Sequence, residues 1–246
     1  QILEIDEANM MVVVEPGVVT NEINEKIKDK GLFFAGYPMS LETCYVAGNV
    51  AENAGGGKAV KYGVTERYIM GLEFVTPTGE IIEVGGKRMK DVTGYNIRML
   101  MVGSEGTLGV ITKVIIKLLP LPKAKVDLLA LFPDVQTAID MVPRIMTEGG
   151  IIPTAIEFMD RLSVHTACQY LNEKIPYQQS GAMLLIEVDG ASEREVEEAY
   201  DTIGDLLMDG GAQEVYVADN YTTQERLWSV RRNIAEAFKV VSPQQS

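Results

Sequence analysis

A chain of 246 residues is long enough for two domains of ordinary size, and 46% hydrophobic residues can bury a substantial core. Its formal net charge of −13 argues against nucleic acid or an anionic membrane surface as the main partner, because both require clustered cations. No stretch approaches the roughly 18 apolar residues of a transmembrane helix, and the first residues lack the basic segment of a signal peptide.

The N-terminal residues predict a strand followed by a helix. Residues 10–19, MMVVVEPGVV, are an apolar β-branched run that ends in a Pro-Gly turn, which is typical of a buried strand. Residues 20–31, TNEINEKIKDKG, predict a short amphipathic helix with Thr20 as its N-cap and Gly31 as its C-terminal stop.

Two glycine-rich loops flank a predicted hairpin. Residues 32–68 show little periodicity, residues 68–86 predict a hairpin that turns at Pro77-Thr78-Gly79, and residues 103–109 form a second loop. A long strand follows the second loop. We expect one face of this strand to carry Val110, Thr112, Val114, Ile116 and Leu118.

The pattern changes at residues 120–123, PLPK, and we place a domain boundary there, between residues 1–122 and 123–246. Behind it, strand and helix patterns alternate, which indicates a ferredoxin-like α+β layer. The last pattern, residues 222–241, predicts one final helix. The predicted N-caps of the three earlier helices are Asp134, Asp160 and Ser192.

The first glycine-rich loop, GNVAENAGGGKAVKYG at 48–63, does not match the known nucleotide motifs. A P-loop would need glycine where Glu52 stands and a hydroxyl where Ala59 stands, so nucleotide hydrolysis is not supported. Its glycines allow close backbone approach to an anion, and Asn49 and Asn53 can offer side-chain amides. A tight surface loop without a ligand is the alternative.

The second loop, GSEGTLG at 103–109, repeats this character directly before a strand. Together, the two loops favour a large ligand that is polyanionic or carries a diphosphate.

The candidates for catalysis are few. His165 is the only histidine, and a helical pattern among apolar residues predicts that it packs in the core. No residues have metal-ligand spacing or form a nucleophile elbow, so we expect a cofactor, or a segment outside the chain, to supply the chemistry. Arg231, near Trp228, is suited to bidentate binding of a carboxylate; a solvated salt bridge is the alternative. The distant Cys44 and Cys168 suggest neither a disulfide framework nor a zinc site, and favour a cytoplasmic protein.

The blocks PMSLETCYVAGNVAENAGGGKAVKYG and KDVTGYNIRMLMVGSEGTLGVITKVIIKLLP carry a family resemblance. In this order they resemble the FAD-linked oxidases of the vanillyl-alcohol oxidase fold, especially glycolate oxidase flavin subunits and FAD-dependent D-lactate and D-2-hydroxyacid dehydrogenases. The resemblance is dense over residues 35–120 and weaker as far as LWSVRRNIAEA. It implies an α+β fold: the second half of a PCMH-type FAD-binding domain, followed by a ferredoxin-like cap domain.

The resemblance also implies residue roles. Arg231 matches the arginine with which relatives hold the substrate carboxylate, whereas Ala235 stands where some relatives have a threonine that contacts substrate. Tyr37, Met39 and Ala47 likewise depart from the usual residues. The residues implied to line FAD are Pro38, Ser40, Gly48, Asn49, Asn53, Ala54 and Gly55, with Glu105, Gly109 and Ile111 near its adenine-ribose end.

The implied activity is oxidation of a small 2-hydroxy acid by hydride transfer to the flavin, with an electron-acceptor protein or a quinone reoxidising it. The resemblance is compatible with an oligomer or a multi-subunit complex. Relatives carry further flavin-binding and histidine-rich metal-binding segments, and the chain does not begin with Met, so we expect an internal fragment of a longer protein. No catalytic or metal residue is predicted within it. A non-catalytic flavin-fold scaffold or companion subunit is the alternative.

Overall fold

In the computed structural model, which describes residues 1–242, the chain divides between Leu121 and Pro122 into two compact units. Each unit has its own sheet and its own hydrophobic core. We refer to them as unit 1 and unit 2. No helix within residues 1–242 is both long enough and apolar enough to cross a membrane.

Unit 1 is built on a five-stranded antiparallel sheet with the order β1-β2-β6-β4-β5, and a two-stranded ribbon pairs β3 with β7. The predicted hairpin is confirmed as β4 and β5. The strands of unit 1 are β1 (Ile2–Asp6), β2 (Met11–Val14), β3 (Leu32–Phe33), β4 (Ile69–Val75), β5 (Ile81–Gly85), β6 (Val110–Lys117) and β7 (Leu119–Pro120).

The helices of unit 1 are short, and they pack on this sheet and its connections. Buried Ile23 and Ile27 lie four residues apart on the first helix, which confirms the predicted amphipathic pattern. A 3₁₀ turn over residues 28–30 follows and ends at Gly31, in the left-handed conformation. The α-helices are α1 (Thr20–Ile27), α2 (Val46–Glu52), α3 (Ala59–Tyr62) and α4 (Ile97–Met101).

The prediction of Thr20 as an N-cap is wrong, because its hydroxyl forms a hydrogen bond with a residue distant in the chain. Val19 is the N-cap of α1, and no side chain caps it. Thr20 is fully buried as the first helical residue, and its hydroxyl donates to the Cys44 carbonyl oxygen at 3.3 Å.

The predicted single face of β6 is also only partly right. Val114, Ile116 and Leu118 are buried as expected, whereas Val110 is 67% exposed and Ile111 is 8% exposed. The register with β4 shifts between Glu73 and Phe74, so β6 carries an additional residue there and its side chains exchange faces.

Unit 2 contains a four-stranded antiparallel sheet with the order β11-β8-β10-β9. Numbered within the unit this order is 4-1-3-2, that of the ferredoxin-like fold, which confirms the predicted α+β class. The strands are β8 (Ala124–Phe132), β9 (Ala155–Asp160), β10 (Ala182–Gly190) and β11 (Glu214–Ala218).

Local capping sets the starts of three helices in unit 2, as predicted. The carboxylates of Asp134 and Asp160 accept the N–H groups of Thr137 and Ser163 at 2.9 and 2.7 Å, and the Ser192 hydroxyl also serves as an N-cap. The helices are α5 (Val135–Thr147), α6 (Arg161–Leu171), α7 (Glu193–Asp209), α8 (Tyr221–Arg232) and α9 (Ile234–Val241).

The final helix is two helices, which corrects the sequence prediction. Asn233, with φ −94° and ψ 5°, ends α8 and precedes α9. The Ser229 carbonyl oxygen accepts both the backbone and the side-chain N–H of Asn233, at 3.1 and 2.9 Å. This local side-chain bond offers the backbone an alternative to a continuous helix.

Candidate functional site

The first predicted ligand loop is partly helical. Gly48 and Asn49 lie within α2, so the prediction of an irregular loop from residue 48 is wrong. Gly48 is exposed on this helix, and a Cβ atom placed there would meet no atom within 4 Å. The backbone around Gly48 therefore faces open space, as a surface that receives a ligand must.

Asn53 ends α2 in the left-handed conformation, with φ 49°. Its side-chain amide donates to Glu66 Oε2 at 2.9 Å, and its Oδ1 accepts the backbone N–H of Glu66 at 2.9 Å. Both polar atoms of this side chain are thus already engaged, and the residue fixes the chain that leaves α2.

The two glycine-rich loops meet at the C-terminal end of α2. The N–H groups of Gly103 and Glu105 donate to the carbonyl oxygens of Val50 and Ala51, each at 2.9 Å. Because the last carbonyls of a helix have no partner within the helix, the second loop completes the end of α2. Glu105 adopts φ 51° to do so, which is uncommon for a residue other than glycine.

Other glycines allow close approach to the protein itself. A Cβ at Gly56 would lie 2.5 Å from the Tyr37 carbonyl oxygen and 3.1 Å from Pro38 Cα. At Gly55 a Cβ would meet Val64, and at Gly109 it would lie 2.7 Å from the Val75 carbonyl oxygen. These glycines therefore let chain segments pack against one another.

Two predicted flavin residues are buried inside unit 1. Asn49 is 5% exposed, and its amide donates to Thr20 Oγ1 at 2.7 Å and to Cys44 Sγ at 3.3 Å. Ile111 lies in the hydrophobic core. The contacts of both side chains that the structure shows lie within the protein.

The remaining predicted flavin residues are close to α2 in the chain or in space. Pro38 lies against Gly56, and the Ser40 carbonyl oxygen accepts the N–H groups of Thr43 and Cys44 at 2.8 and 3.0 Å. The carbonyl oxygen of Ala54 accepts the buried Thr65 hydroxyl at 2.8 Å. The surroundings of α2 thus gather most of the predicted set.

An unpartnered hydroxyl in the second loop fits a polar ligand. Ser104 Oγ is buried and has no hydrogen-bond partner within the described residues. A buried polar atom without a partner is costly, and a ligand acceptor would satisfy it. This hydroxyl and the open backbone at Gly48 are the features of unit 1 that fit the implied flavin.

In unit 2, Arg231 is anchored to a carboxylate on the sheet. Its Nε donates to Glu157 Oε2 at 2.8 Å, and its Nη2 forms an ion pair with the same oxygen at 2.7 Å. The side chain of Arg231 is 31% exposed and that of Glu157 is 14% exposed. The neighbouring Arg232 pairs with Glu225 on the same helix at 2.8 Å.

The helix that carries Arg231 is fixed at its other end. The Asn220 side chain caps α8 by accepting the Thr223 N–H at 3.0 Å. Gln224, 3% exposed, donates to the carbonyl oxygen of Ala218 in β11 at 3.0 Å. Since Arg231 pairs with Glu157 of β9, side chains link α8 to both edge strands of the sheet, β9 and β11.

His165 lies on the solvent side of α6, so the prediction that it packs in the core is wrong. Its Nδ1 lies 2.8 Å from the Tyr177 hydroxyl, whereas Val164, Ala167 and Cys168 occupy the buried face of the helix. Within residues 1–242, no three or more His, Cys, Asp or Glu residues are arranged to hold a metal ion.

The sequence did not reveal Glu157 as the partner of Arg231. The two residues are 74 positions apart, and only the fold of unit 2 brings them together. The single available signal was an acidic residue at the centre of the apolar strand pattern AIEFMD.

Two family models match the chain. Residues 1–85 match the FAD binding domain, and residues 121–244 match the C-terminal domain of FAD linked oxidases. Among solved structures, alkyldihydroxyacetonephosphate synthase covers 98% of this chain with a TM-score of 0.75 and 22% identity, over 45% of its own chain. The structure of p-cresol methylhydroxylase covers 95% of this chain with a TM-score of 0.68 and 17% identity, over 52% of its own chain. These likenesses confirm the fold.

Curated relatives are more similar in sequence. The glycolate oxidase subunit GlcD of Bacillus subtilis is 40% identical over 243 residues, covering 99% of this chain and 51% of the relative. A D-lactate dehydrogenase of Anaerostipes hadrus is 34% identical over 244 residues, covering 97% of this chain and 51% of the relative. The chain thus spans about half the length of the curated relatives it matches.

Proposed function

Because the chain belongs to the FAD-linked oxidases, we propose that it forms part of an enzyme that oxidises a 2-hydroxy acid with FAD. The observation that carries this proposal is the similarity, across almost the whole chain, to a glycolate oxidase subunit and a D-lactate dehydrogenase. Glycolate and lactate are both small 2-hydroxy acids.

We propose that FAD contacts unit 1 around α2. Pro38, Ser40, Gly48 and residues 53–55 would line one side of it, and Glu105 with the unpartnered Ser104 hydroxyl would line another. The residues that line FAD would be supported from inside unit 1 by Asn49, Gly109 and Ile111, because the closest contacts of these three residues lie within the protein. When bound, FAD would accept the hydride that leaves the α-carbon of the acid and would pass the electrons to an acceptor protein or quinone.

Arg231 would hold the substrate carboxylate. A guanidinium has five N–H donors in a planar fork, and its pairing with Glu157 leaves donors free for a second carboxylate. Fixing the carboxylate orients the α-carbon, so the contribution of this chain is positioning. We assign no base to residues of this chain.

A dye-linked assay of the holoenzyme tests the proposal. D-lactate, glycolate and D-2-hydroxyglutarate are each supplied with an artificial electron acceptor, and dye reduction is followed. We expect reduction with at least one of these acids and none with the matching 2-deoxy acid, such as propionate for D-lactate. A flavin-loaded enzyme that reduces the dye with none of these acids would contradict the proposal, and a protein that binds no flavin at all would favour the scaffold alternative.

A further inference from the structure

Arg231 is held along one edge of its guanidinium. A guanidinium can meet a carboxylate through its Nε and Nη2 atoms or through its two terminal nitrogens. Here Nε donates to Glu157 Oε2 at 2.8 Å, and Nη2 forms an ion pair with the same oxygen at 2.7 Å. The Nη1–Nη2 edge of the guanidinium lies outside this contact.

We infer that Glu157 is a positioning residue for substrate binding, which rests on the proposed role of Arg231. Glu157 binds the Nε–Nη2 edge of the Arg231 guanidinium. The Nη1–Nη2 edge is thereby oriented towards the carboxylate of the 2-hydroxy acid. It touches neither substrate nor flavin in this arrangement; it acts through Arg231 alone.

The location of Glu157 suits this role. It lies in the middle of β9, opposite Leu185 of β10, and its side chain is 14% exposed. A carboxylate on a paired strand has little freedom to follow the arginine, so the arginine must adapt to it. Arg231 would otherwise lose the rotational freedom of a long side chain each time a substrate binds.

Glu157 also opposes the substrate electrostatically. Its pair with Arg231 is neutral overall, and the substrate brings a second negative charge to the same guanidinium. Orientation strengthens substrate binding, whereas the charge of Glu157 weakens it. The two effects have opposite signs and can be separated by substitution.

The Glu157→Gln and Glu157→Ala variants separate them. Glutamine retains an oxygen that can accept from Nε and Nη2 but carries no charge, so we expect the Kd and KM of carboxylates to fall about 3- to 10-fold. Alanine removes the anchor as well as the charge, so both constants should lie about 3- to 10-fold above those of the glutamine variant, as expected for the loss of one preorganised side chain. In the glutamine variant kcat should change less than about 3-fold, because the bound geometry is retained.

The measurements use the flavin-loaded enzyme. Oxalate, a carboxylate that cannot be oxidised by hydride loss, is titrated by calorimetry to give Kd, and D-lactate or glycolate gives KM and kcat. Thermal unfolding of each variant is recorded alongside. A structural ion pair would change the unfolding temperature but would not raise the Kd of the alanine variant above that of the glutamine variant.

Glu173 provides a matched control. Arg226, on the same helix, donates from Nε and Nη2 to Glu173 Oε1 at 3.0 and 2.6 Å, so its Nε–Nη2 edge also meets a single carboxylate oxygen. Glu173→Gln and Glu173→Ala should leave the oxalate Kd within about 2-fold of the unaltered enzyme, since this pair is not proposed to meet substrate.

The Arg231→Met variant distinguishes the two levels of the proposal. If it leaves the oxalate Kd unchanged, the carboxylate-binding role of Arg231 fails, and the role of Glu157 fails with it. If it weakens oxalate binding while the alanine variant binds oxalate as tightly as the glutamine variant, only the positioning role of Glu157 is overturned.

Discussion

Asn53 and Arg231 show how a side chain that suits a ligand can already be held by the protein. Asn53 uses both amide atoms on Glu66, and Arg231 uses one edge of its guanidinium on Glu157. Residue type and spacing predict which groups a side chain offers, but they do not predict its partners. At this scale the exposed glycine of α2 and the closely packed glycine at residue 56 can be told apart by substitution.

Gly48→Ala and Gly56→Ala should have opposite effects on folding. In exposed α2, alanine at residue 48 has open space and should stabilise the protein by about 0.5–1 kcal/mol. At residue 56 the added Cβ would lie 2.5 Å from the Tyr37 carbonyl oxygen, which should destabilise by about 1–3 kcal/mol. Urea unfolding measures both changes.

If Gly48 lines the flavin, Gly48→Ala should also lower the ratio of flavin to protein after gel filtration, although the fold is intact. A Gly48→Ala protein that retains flavin as well as the unaltered protein would remove residue 48 from the flavin surface.

Asp6 predicts a pH dependence of stability. Lys87 Nζ lies 2.9 Å from Asp6 Oδ2, and this hydrogen bond, with those from Asn9, lowers the pKa of Asp6 to about 2 from 3.8. Since the folded-state pKa is depressed, the stabilisation is present above about pH 4 and is lost as the pH falls towards 2.

Lys87→Met removes the largest cause of this shift, so the urea midpoint should depend less on pH between about 4 and 2. The comparison needs urea unfolding curves of both proteins at matched pH values. An unchanged pH dependence in Lys87→Met would show that Lys87 does not set the pKa of Asp6.

At the scale of helices and strands, local signals were sufficient where the partners are local. The caps Asp134, Asp160 and Ser192 accept N–H groups three residues away, and all three were predicted correctly. The helix α2 was missed because its last carbonyls are satisfied by the second loop, about fifty residues later. The face change in β6 was missed because it depends on the register with β4.

The cap of α6 gives a test at this scale. Asp160→Ala removes the acceptor that lies 2.7 Å from the Ser163 N–H and should destabilise unit 2 by about 1 kcal/mol. Asp160→Asn retains a side-chain oxygen and should cost only a few tenths of a kcal/mol. Hydrogen exchange of the first turn of α6 reports the change; equal protection in all three proteins would contradict the assigned cap.

At the scale of the whole molecule, the two hydrophobic cores support two proposed functions, FAD binding in unit 1 and substrate binding in unit 2. The core of unit 1 lies beneath the residues proposed to contact FAD, and the core of unit 2 supports the sheet that carries Glu157. The α+β class of unit 2 followed from its alternating strand and helix patterns, since these periodicities are set by burial, whereas the fold of unit 1 followed from the family resemblance. The ion pair of Arg231 did not, because it depends on how distant segments pack.

The central claim is that Arg231 holds the carboxylate of a 2-hydroxy acid for oxidation by FAD. Its most direct test is anaerobic mixing of the flavin-loaded enzyme with D-lactate or glycolate, followed by the loss of oxidised-flavin absorbance. We expect rapid bleaching with the unaltered enzyme. In Arg231→Met, half-maximal bleaching should require about 100-fold more acid, as expected when one partner of a charged pair is removed. Bleaching of Arg231→Met at the same acid concentrations as the unaltered enzyme would contradict the account.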